Sequence, residues 1–213
     1  MTSGPTADMT SDVTTGTPLA VLWDADGVLQ HSPPGWWDRL VELGGADFPQ
    51  AVLDAEAGPL VGAGTFRDAV AGVMADLRVA ADVDDVLDLW RHLEVDADAL
   101  GLVDTVRAAG TPCYLASNQQ DLRVEIMRHG LGYGEHVDGE FYSSELGVMK
   151  PSPRYFTVVL EALGLRPHEV LFIDDNADNV AAASSVGLLA ERHDPAAGVT
   201  GLREILARHG LGR

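Results

Sequence analysis

Residues 19–28 have the sequence LAVLWDADGV. A short apolar run before a glycine is typical of a buried parallel strand, so we predict a strand that ends at Asp24. Strand alternation directs Asp24 and Asp26 to the same side, with Ala25 facing away. In open α/β sheets the carboxyl ends of the strands form the ligand crevice. Two carboxylates this close repel each other unless a cation or a shared proton is present, which predicts a divalent metal site, a nucleophile, or both.

The segment that follows predicts helices and no convincing strand. A breaker cluster, Pro33-Pro34-Gly35, opens it. Helical patterns then occupy residues 36–43, 48–57, 66–77 and 82–93. We therefore predict that residues 34–95 form a small helical cap inserted into a larger domain.

Strands and helices alternate in the rest of the chain. Strands are predicted at residues 112–116, 139–143, 170–173 and 188–191; helices are predicted at residues 98–109, 119–129, 152–163, 177–186 and 202–209. This alternation predicts an α/β fold with a doubly wound, mainly parallel, Rossmann-like sheet. Residues 18–33 and 96–213 would form this core, and residues 1–17, rich in Thr, Ser, Gly and Asp, are predicted to be a disordered tail.

Polar residues follow four of the predicted strands. The first strand leads into Asp24 and Asp26. The remaining polar positions are Ser117, Asn118, Lys150, Asp174, Asp175 and Asn179. Because parallel strands bring their carboxyl ends to one edge of the sheet, we expect these side chains to converge there.

The chemistry that suits this set is phosphoryl transfer. Clustered carboxylates favour Mg²⁺, which takes oxygen ligands, and a carboxylate can attack phosphorus. The hydroxyl of Ser117, nearby backbone N–H groups and Lys150 could hold phosphoryl oxygens. Lys150 is the one lysine beside thirteen arginines, and arginine cannot replace lysine where a compact charge is needed.

The ordered set resembles the haloacid dehalogenase-like hydrolases, in the subgroup with a helical cap. DADGV at residues 24–28, Ser117, Lys150-Pro151, and Asp174-Asp175 with Asn179 are similar to the four motifs of that family. The resemblance spans residues 19–213. It is strongest to the branch that holds bacterial sugar-1-phosphate phosphatases and the phosphatase domain of soluble epoxide hydrolase.

The resemblance implies a role for each residue of the reaction centre. Asp24 would be the nucleophile and a Mg²⁺ ligand. Asp26 would be the general acid and then the base, with its main-chain carbonyl on the metal. Ser117, the N–H of Asn118, and Lys150 would bind phosphate, and Lys150 would also take part in catalysis.

The resemblance also implies the rest of the metal site. Asp175 would be a direct metal ligand, and Asp174 either a second ligand or a support behind the ligands. Asn179 would hold the waters around the metal.

Several functions fit this sequence. The leading one is a Mg²⁺-dependent phosphatase of small phosphate monoesters, such as sugar phosphates, acting through an aspartyl-phosphate. A sugar-phosphate mutase and a 2-haloacid dehalogenase are alternatives, although the dehalogenases that the chain resembles lack an acid/base aspartate at the position of Asp26. A phospho-signalling module or a catalytically silent regulator is the non-enzyme alternative.

The composition of the chain indicates which partners to expect. The 213 residues include 33 acidic side chains against 14 Lys and Arg, a formal net charge of −19. Such a surface repels nucleic acids and anionic membranes, so we expect neither, and a small phosphorylated metabolite instead. The single cysteine, Cys113, excludes an internal disulfide, and we expect a cytoplasmic protein that is a monomer or a homodimer.

Overall fold

The computed structural model describes residues 16–212. Most of the predicted tail, residues 1–15, therefore lies outside the described residues. The strands are β1 (Ala20–Trp23), β2 (Gln30–His31), β3 (Glu94–Val95), β4 (Cys113–Ser117), β5 (Gly139–Tyr142), β6 (Val170–Asp174) and β7 (Leu189–Arg192).

The helices of the insert are α1 (Trp36–Gly44), α2 (Phe48–Ala55), α3 (Phe66–Leu77) and α4 (Val83–Arg91). Those that follow it are α5 (Ala97–Ala108), α6 (Asp121–His129), α7 (Tyr133–His136), α8 (Ser143–Leu146), α9 (Pro153–Leu163), α10 (Ala177–Ser185) and α11 (Gly198–Arg208).

Five parallel strands form the central sheet, in the order β5-β4-β1-β6-β7. Strand β1 lies in the middle, and its four residues are all buried. Val21 and Trp23 face a core shared with α5, α6 and α11, whereas Leu22 faces the core on the α9 and α10 side. Helices thus cover both faces, which explains the continuous apolar run and confirms the predicted doubly wound α/β fold.

The helices α1 to α4 have a core of their own. Phe48, Phe66 and Trp90 are buried at its centre, and the ring of Trp90 lies 4.9 Å from that of Phe66. A backbone contact ties this layer to the sheet domain, because the N–H of Phe66 at the start of α3 donates to Oδ1 of Asp121 over 2.8 Å. The helical layer is therefore fixed against α6 as well as through its connecting chains.

Those connecting chains pair as a short antiparallel ribbon, Gln30 with Val95 and His31 with Glu94. The sequence predicted no strand in the insert, and at Glu94–Val95 that prediction was wrong: α4 ends at Arg91 and the chain returns beside β2. Two-residue strands are too short for alternation to be visible in the sequence. We propose that residues 34–95 form the cap and that the ribbon lies at its junction with the core.

Candidate active site

The carboxyl ends of the three central strands carry the first group of predicted site residues. Asp24 follows β1, Ser117 ends β4 and Asp174 ends β6, and all three are buried. Because β4 and β6 both pair in parallel with β1, these side chains meet at one edge of the sheet. Lys150 reaches the same point from the loop after α8, and only 2% of its surface is exposed.

Lys150 lies between two carboxylates. Its Nζ is 2.9 Å from Oδ1 of Asp24 and 2.7 Å from Oδ2 of Asp174. Burial disfavours the charged form of Lys150, but the two carboxylates outweigh this effect, so the pKa of the ammonium lies above its usual range. Lys150 is therefore a fixed positive charge inside the acidic site.

Asn118 holds the backbone of Lys150. The side-chain amide of Asn118 donates from Nδ2 to the carbonyl of Lys150 over 2.8 Å and accepts the N–H of Lys150 at Oδ1 over 2.9 Å. This pair of bonds joins the end of β4 to the loop that carries the lysine. The structure thus gives the Asn118 side chain a positioning role, while phosphate binding by its N–H stays a prediction.

Both oxygens of Asp174 already accept hydrogen bonds. Asn179 donates from Nδ2 to both oxygens, over 3.1 and 3.0 Å, and the N–H of Asn176 donates to Oδ1 over 2.8 Å. Lys150 occupies Oδ2 as well. These hydrogen bonds fix the orientation of the Asp174 carboxylate.

Three carboxylates are close enough to share one cation. One oxygen from each of Asp24, Asp174 and Asp175 lies within 4.8 Å of the other two. Burial raises the pKa of Asp24, against the attraction of Lys150, and burial followed by the charge of Asp174 raises that of Asp175. Clustered carboxylates in this state are stabilised by a cation, and an all-oxygen donor set suits Mg²⁺.

Gly27 makes room for Asp175. Its φ is +78°, and a Cβ built on it would lie 2.5 Å from Oδ2 of Asp175. Any side chain at this position would therefore collide with that carboxylate and would also strain the backbone. The glycine after Asp26 is required by the packing of the acidic group.

Asp26 belongs to a different set of contacts. Gln119 donates from Nε2 to Oδ2 over 2.6 Å, and Gln30 donates from Nε2 to Oδ1 over 3.0 Å. The same amide nitrogen of Gln119 lies 3.1 Å from Oγ of Ser117. Asp26 is thus held apart from the group of three carboxylates but faces the same cavity. A metal contact from its main-chain carbonyl stays a prediction.

That cavity, of about 490 Å³, opens between the sheet edge and the cap. It is lined by all the predicted site residues except Asp174, which is fully buried. From the cap and its connections come His31, Ser32, Trp36, Leu53, Glu56, Leu60 and Trp90. Trp37, next to Trp36 on α1, is 44% exposed and does not line the cavity.

Four residues that contact this site were not predicted from the sequence, namely Gln30, Gln119, Arg123 and Glu56, and Gly27 was predicted only as part of a motif. Gln119 carried a usable signal, because it directly follows the Ser117-Asn118 pair at a strand end. Arg123 on α6 and Glu56 directly after α2 carried none, since their approach to each other depends on how the cap packs.

The comparisons with known proteins agree with this geometry. Residues 18–187 match a family model described as haloacid dehalogenase-like hydrolase. The chain belongs to this family and is a hydrolase, which confirms the resemblance identified from the motifs.

Two curated relatives illustrate the range of activities in the family. The phosphoglycolate phosphatase of Rhodospirillum rubrum is 27% identical over 186 residues, which cover 80% of this chain and 77% of the relative. The (S)-2-haloacid dehalogenase 1 of Pseudomonas sp. is 30% identical over 105 residues, which cover 48% of this chain and 45% of the relative.

Solved structures share the fold. A HAD family enzyme from Bacteroides thetaiotaomicron, in complex with magnesium and inorganic phosphate, has a TM-score of 0.73 at 21% identity and covers 84% of this chain and 95% of its own. The L-2-haloacid dehalogenase of Xanthobacter autotrophicus has a TM-score of 0.63 at 23% identity, covering 82% and 77%. At these identities the likeness establishes the architecture and not the substrate.

Proposed function

We propose that this hydrolase is a Mg²⁺-dependent phosphatase of small phosphate monoesters that works through an aspartyl-phosphate on Asp24. The observation that carries the proposal is the pair of separately held carboxylates at one cavity. Asp24 is bound by Lys150, whereas Asp26 is bound by the amides of Gln119 and Gln30. A nucleophile and a separate acid/base group are what phosphate ester hydrolysis requires and what dehalogenation does not.

The proposed metal would be held by Asp24 and Asp175, with Asp174 as a further ligand or as a support. The oxygen-only donor set and the space that Gly27 leaves for Asp175 support this assignment. When bound, Mg²⁺ would offset the carboxylate charge and polarise the phosphoryl oxygens.

In the first step a carboxylate oxygen of Asp24 attacks phosphorus and forms a new O–P bond. The bond between phosphorus and the ester oxygen breaks, and Asp26 gives its proton to the departing alkoxide. Lys150 stays charged throughout and stabilises the negative charge that gathers on the phosphoryl group. The Ser117 hydroxyl, buried beside Gln119, would bind a phosphoryl oxygen.

In the second step Asp26, now a carboxylate, accepts a proton from water. The water oxygen attacks the same phosphorus, the O–P bond to Asp24 breaks, and inorganic phosphate leaves. The amides of Gln119 and Gln30 hold Asp26 in one position for both proton transfers. The carboxylate of Asp24 and the protonated Asp26 are both regenerated, so the cycle balances.

The expected partners follow from charge. A net charge of −19 makes nucleic acids and anionic membranes poor partners, and a small phosphorylated metabolite remains the proposed substrate. None of the helices between residues 16 and 212 combines the length and the apolar composition of a membrane span.

The proposal is tested by incubating the purified protein with p-nitrophenyl phosphate, with and without MgCl₂. Parallel assays would follow chloride release from 2-chloropropionate, with Asp24→Asn as the inactive control in both. We expect Mg²⁺-dependent release of p-nitrophenolate, no chloride release, and no activity in Asp24→Asn. Chloride release without phosphate ester hydrolysis would contradict the phosphatase proposal and support a dehalogenase activity instead.

A further inference from the structure

Arg123 is a buried cation that lacks a full set of partners. It lies on α6 and lines the cavity, and only 7% of its surface is exposed. Its one ion pair within 4.0 Å among the described residues is with Asp26, at 3.5 Å from Nη1 to Oδ1, and its buried Nε has no partner there. A buried guanidinium with unused donors is costly unless another acceptor completes it.

Glu56 faces the same cavity from the cap, directly after α2. Its Oε1 accepts Nε1 of Trp90 over 2.9 Å and Nε2 of Gln120 over 3.4 Å. Its Oε2 receives no hydrogen bond from the described part of the chain. Burial raises the pKa of Glu56, although the bonds from Trp90 and Gln120 and the charge of Arg123 oppose the shift. The unused oxygen remains an acceptor for a ligand.

Arg123 and Glu56 do not satisfy each other. Among the described residues they form no ion pair within 4.0 Å, although the charge of Arg123 acts on Glu56. The cavity is therefore lined by Arg123, whose Nη2 donates no hydrogen bond to the described residues, and by Glu56, whose Oε2 accepts none from them. Trp36 and Trp90, with their rings 4.8 Å apart, add an aromatic wall.

We infer that Arg123 and Glu56 form a recognition pair for the leaving group of the substrate. This group would carry an oxygen that accepts a hydrogen bond from Arg123 and a hydroxyl that donates to Glu56. The inference rests on the proposed phosphatase function and narrows its substrates to phosphate esters of small polyols or sugars. Arg123 and Glu56 are then specificity-determining residues of the phosphatase.

The charge of the side chains around the cavity favours a leaving group with a hydroxyl over one with an anionic group. Four carboxylates line the cavity (Asp24, Asp26, Glu56 and Asp175), whereas its Lys and Arg side chains are Lys150 and Arg123. A substrate with a carboxylate beside its phosphate would bring that charge close to Glu56 and Asp26 in a partly desolvated space. A hydroxyl satisfies Glu56 as a donor and Arg123 as an acceptor without this repulsion.

The volume of the cavity also favours a small leaving group. The cavity of about 490 Å³ must hold the phosphoryl group and the metal as well as the leaving group. It therefore suits a leaving group of a few carbon atoms rather than a nucleoside or a long chain.

Three substrates of similar size separate these possibilities: sn-glycerol 3-phosphate, propyl phosphate and phosphoglycolate. We expect the parent to hydrolyse glycerol phosphate with a kcat/KM about tenfold or more above that for propyl phosphate, because unpaired polar groups reject an apolar isostere. Phosphoglycolate should be the poorest substrate. A preference for phosphoglycolate would overturn the inference and indicate that Arg123 binds the carboxylate of the substrate.

The variants are Arg123→Met and Glu56→Ala, with the exposed Arg154→Met and Glu161→Ala as matched controls. Each cavity variant should lower kcat/KM for glycerol phosphate about tenfold more than that for propyl phosphate, chiefly through KM, so that the preference of the parent is lost. Equal losses on both substrates would overturn the inference, since Arg123 would then act through Asp26. Melting temperatures identify a variant that fails to fold, in which case the other variant decides.

Failure of the proposed phosphatase function can be distinguished from failure of the Arg123–Glu56 recognition pair. If the parent hydrolyses none of the three esters, calorimetry with the same compounds and Mg²⁺ replaces the kinetic assay. Tighter binding of glycerol phosphate than of propyl phosphate, lost in Arg123→Met, would still support the pair. Equal affinity for the two compounds would overturn it.

Discussion

Nζ of Lys150 lies 2.9 Å from Oδ1 of Asp24, and the two side chains are only 1% and 10% exposed. The same oxygen of Asp24 accepts the N–H of Ala25 over 2.8 Å. A carboxylate with two donors on one oxygen is held in a single orientation. The lysine therefore fixes Asp24, the proposed nucleophile, and offsets its charge, so its replacement has a sharp expected outcome.

Lys150→Arg is expected to lower kcat/KM on the order of tenfold to a hundredfold. The planar guanidinium is wider than an ammonium, and a shift of about 1 Å in the reacting groups is enough for such a loss. Overpacking this buried position should cost about 1–3 kcal/mol of unfolding free energy. Steady-state kinetics and thermal melts measure the two effects.

The control is Arg166→Lys, at a side chain that is 72% exposed. It should leave both kinetics and melting temperature unchanged. Parent-like kinetics for Lys150→Arg would show that a compact charge is not required beside Asp24.

Asp26→Asn is expected to slow the reaction most for substrates with poor leaving groups. An amide cannot give a proton to a departing alkoxide, and the loss for an alkyl phosphate should be on the order of 10² to 10⁴. Formation of the intermediate from p-nitrophenyl phosphate should suffer far less, because p-nitrophenolate leaves without a proton. Pre-steady-state rates for the two substrates make the comparison, and equal losses would argue against an acid role for Asp26.

Removal of the metal should abolish activity. EDTA is expected to silence the enzyme and excess Mg²⁺ to restore it, because the carboxylates of Asp24, Asp174 and Asp175 would otherwise repel the phosphate. Ca²⁺ should inhibit, since its larger and looser coordination shell misplaces nucleophile and phosphate. Full turnover in chelator would contradict the metal assignment.

Gly27→Ala should weaken metal binding. The new Cβ would lie 2.5 Å from Oδ2 of Asp175 and displace it, so the Mg²⁺ concentration for half-maximal activity should rise about tenfold or more. Gly35→Ala is the matched control, because Gly35 has the same φ of +78° but no atom within 4 Å of its added Cβ. Both variants carry the backbone strain, and only Gly27→Ala should alter the Mg²⁺ dependence. Identical Mg²⁺ titrations for the two variants would contradict this role of Gly27.

The sheet could be predicted from the sequence because its strands are buried on both faces. Continuous apolar runs such as residues 19–23 and 170–173 mark such strands, and the polar residues at their ends mark the site. The ribbon of Gln30–His31 with Glu94–Val95 could not be predicted, since two residues show no periodicity. The start of α11 at Gly198, before the predicted residue 202, was hidden by Gly198 and Gly201, which weaken a helical pattern.

Only part of the site could be predicted from the sequence, because the rest depends on tertiary packing. Asp24, Ser117 and Asp174 could be brought together by topology alone, because parallel strands share an edge. Glu56 and Arg123 could not, since Glu56 follows a cap helix and Arg123 lies on α6, and only the packing of the cap brings them to one cavity. The position of a cap over a core depends on contacts such as that of Phe66 with Asp121, which leave no local pattern.

The central claim is that Asp24 becomes phosphorylated, and trapping the intermediate tests it most directly. In Asp26→Asn, p-nitrophenyl phosphate should still form the aspartyl-phosphate, while its hydrolysis is slow for lack of a base. We predict a burst of one p-nitrophenolate per enzyme and, after acid quenching, mass spectrometry that locates one phosphoryl group on Asp24. Asp24→Asn should show neither. Turnover of the ester without a burst, or a phosphoryl group on any other residue, would contradict the account.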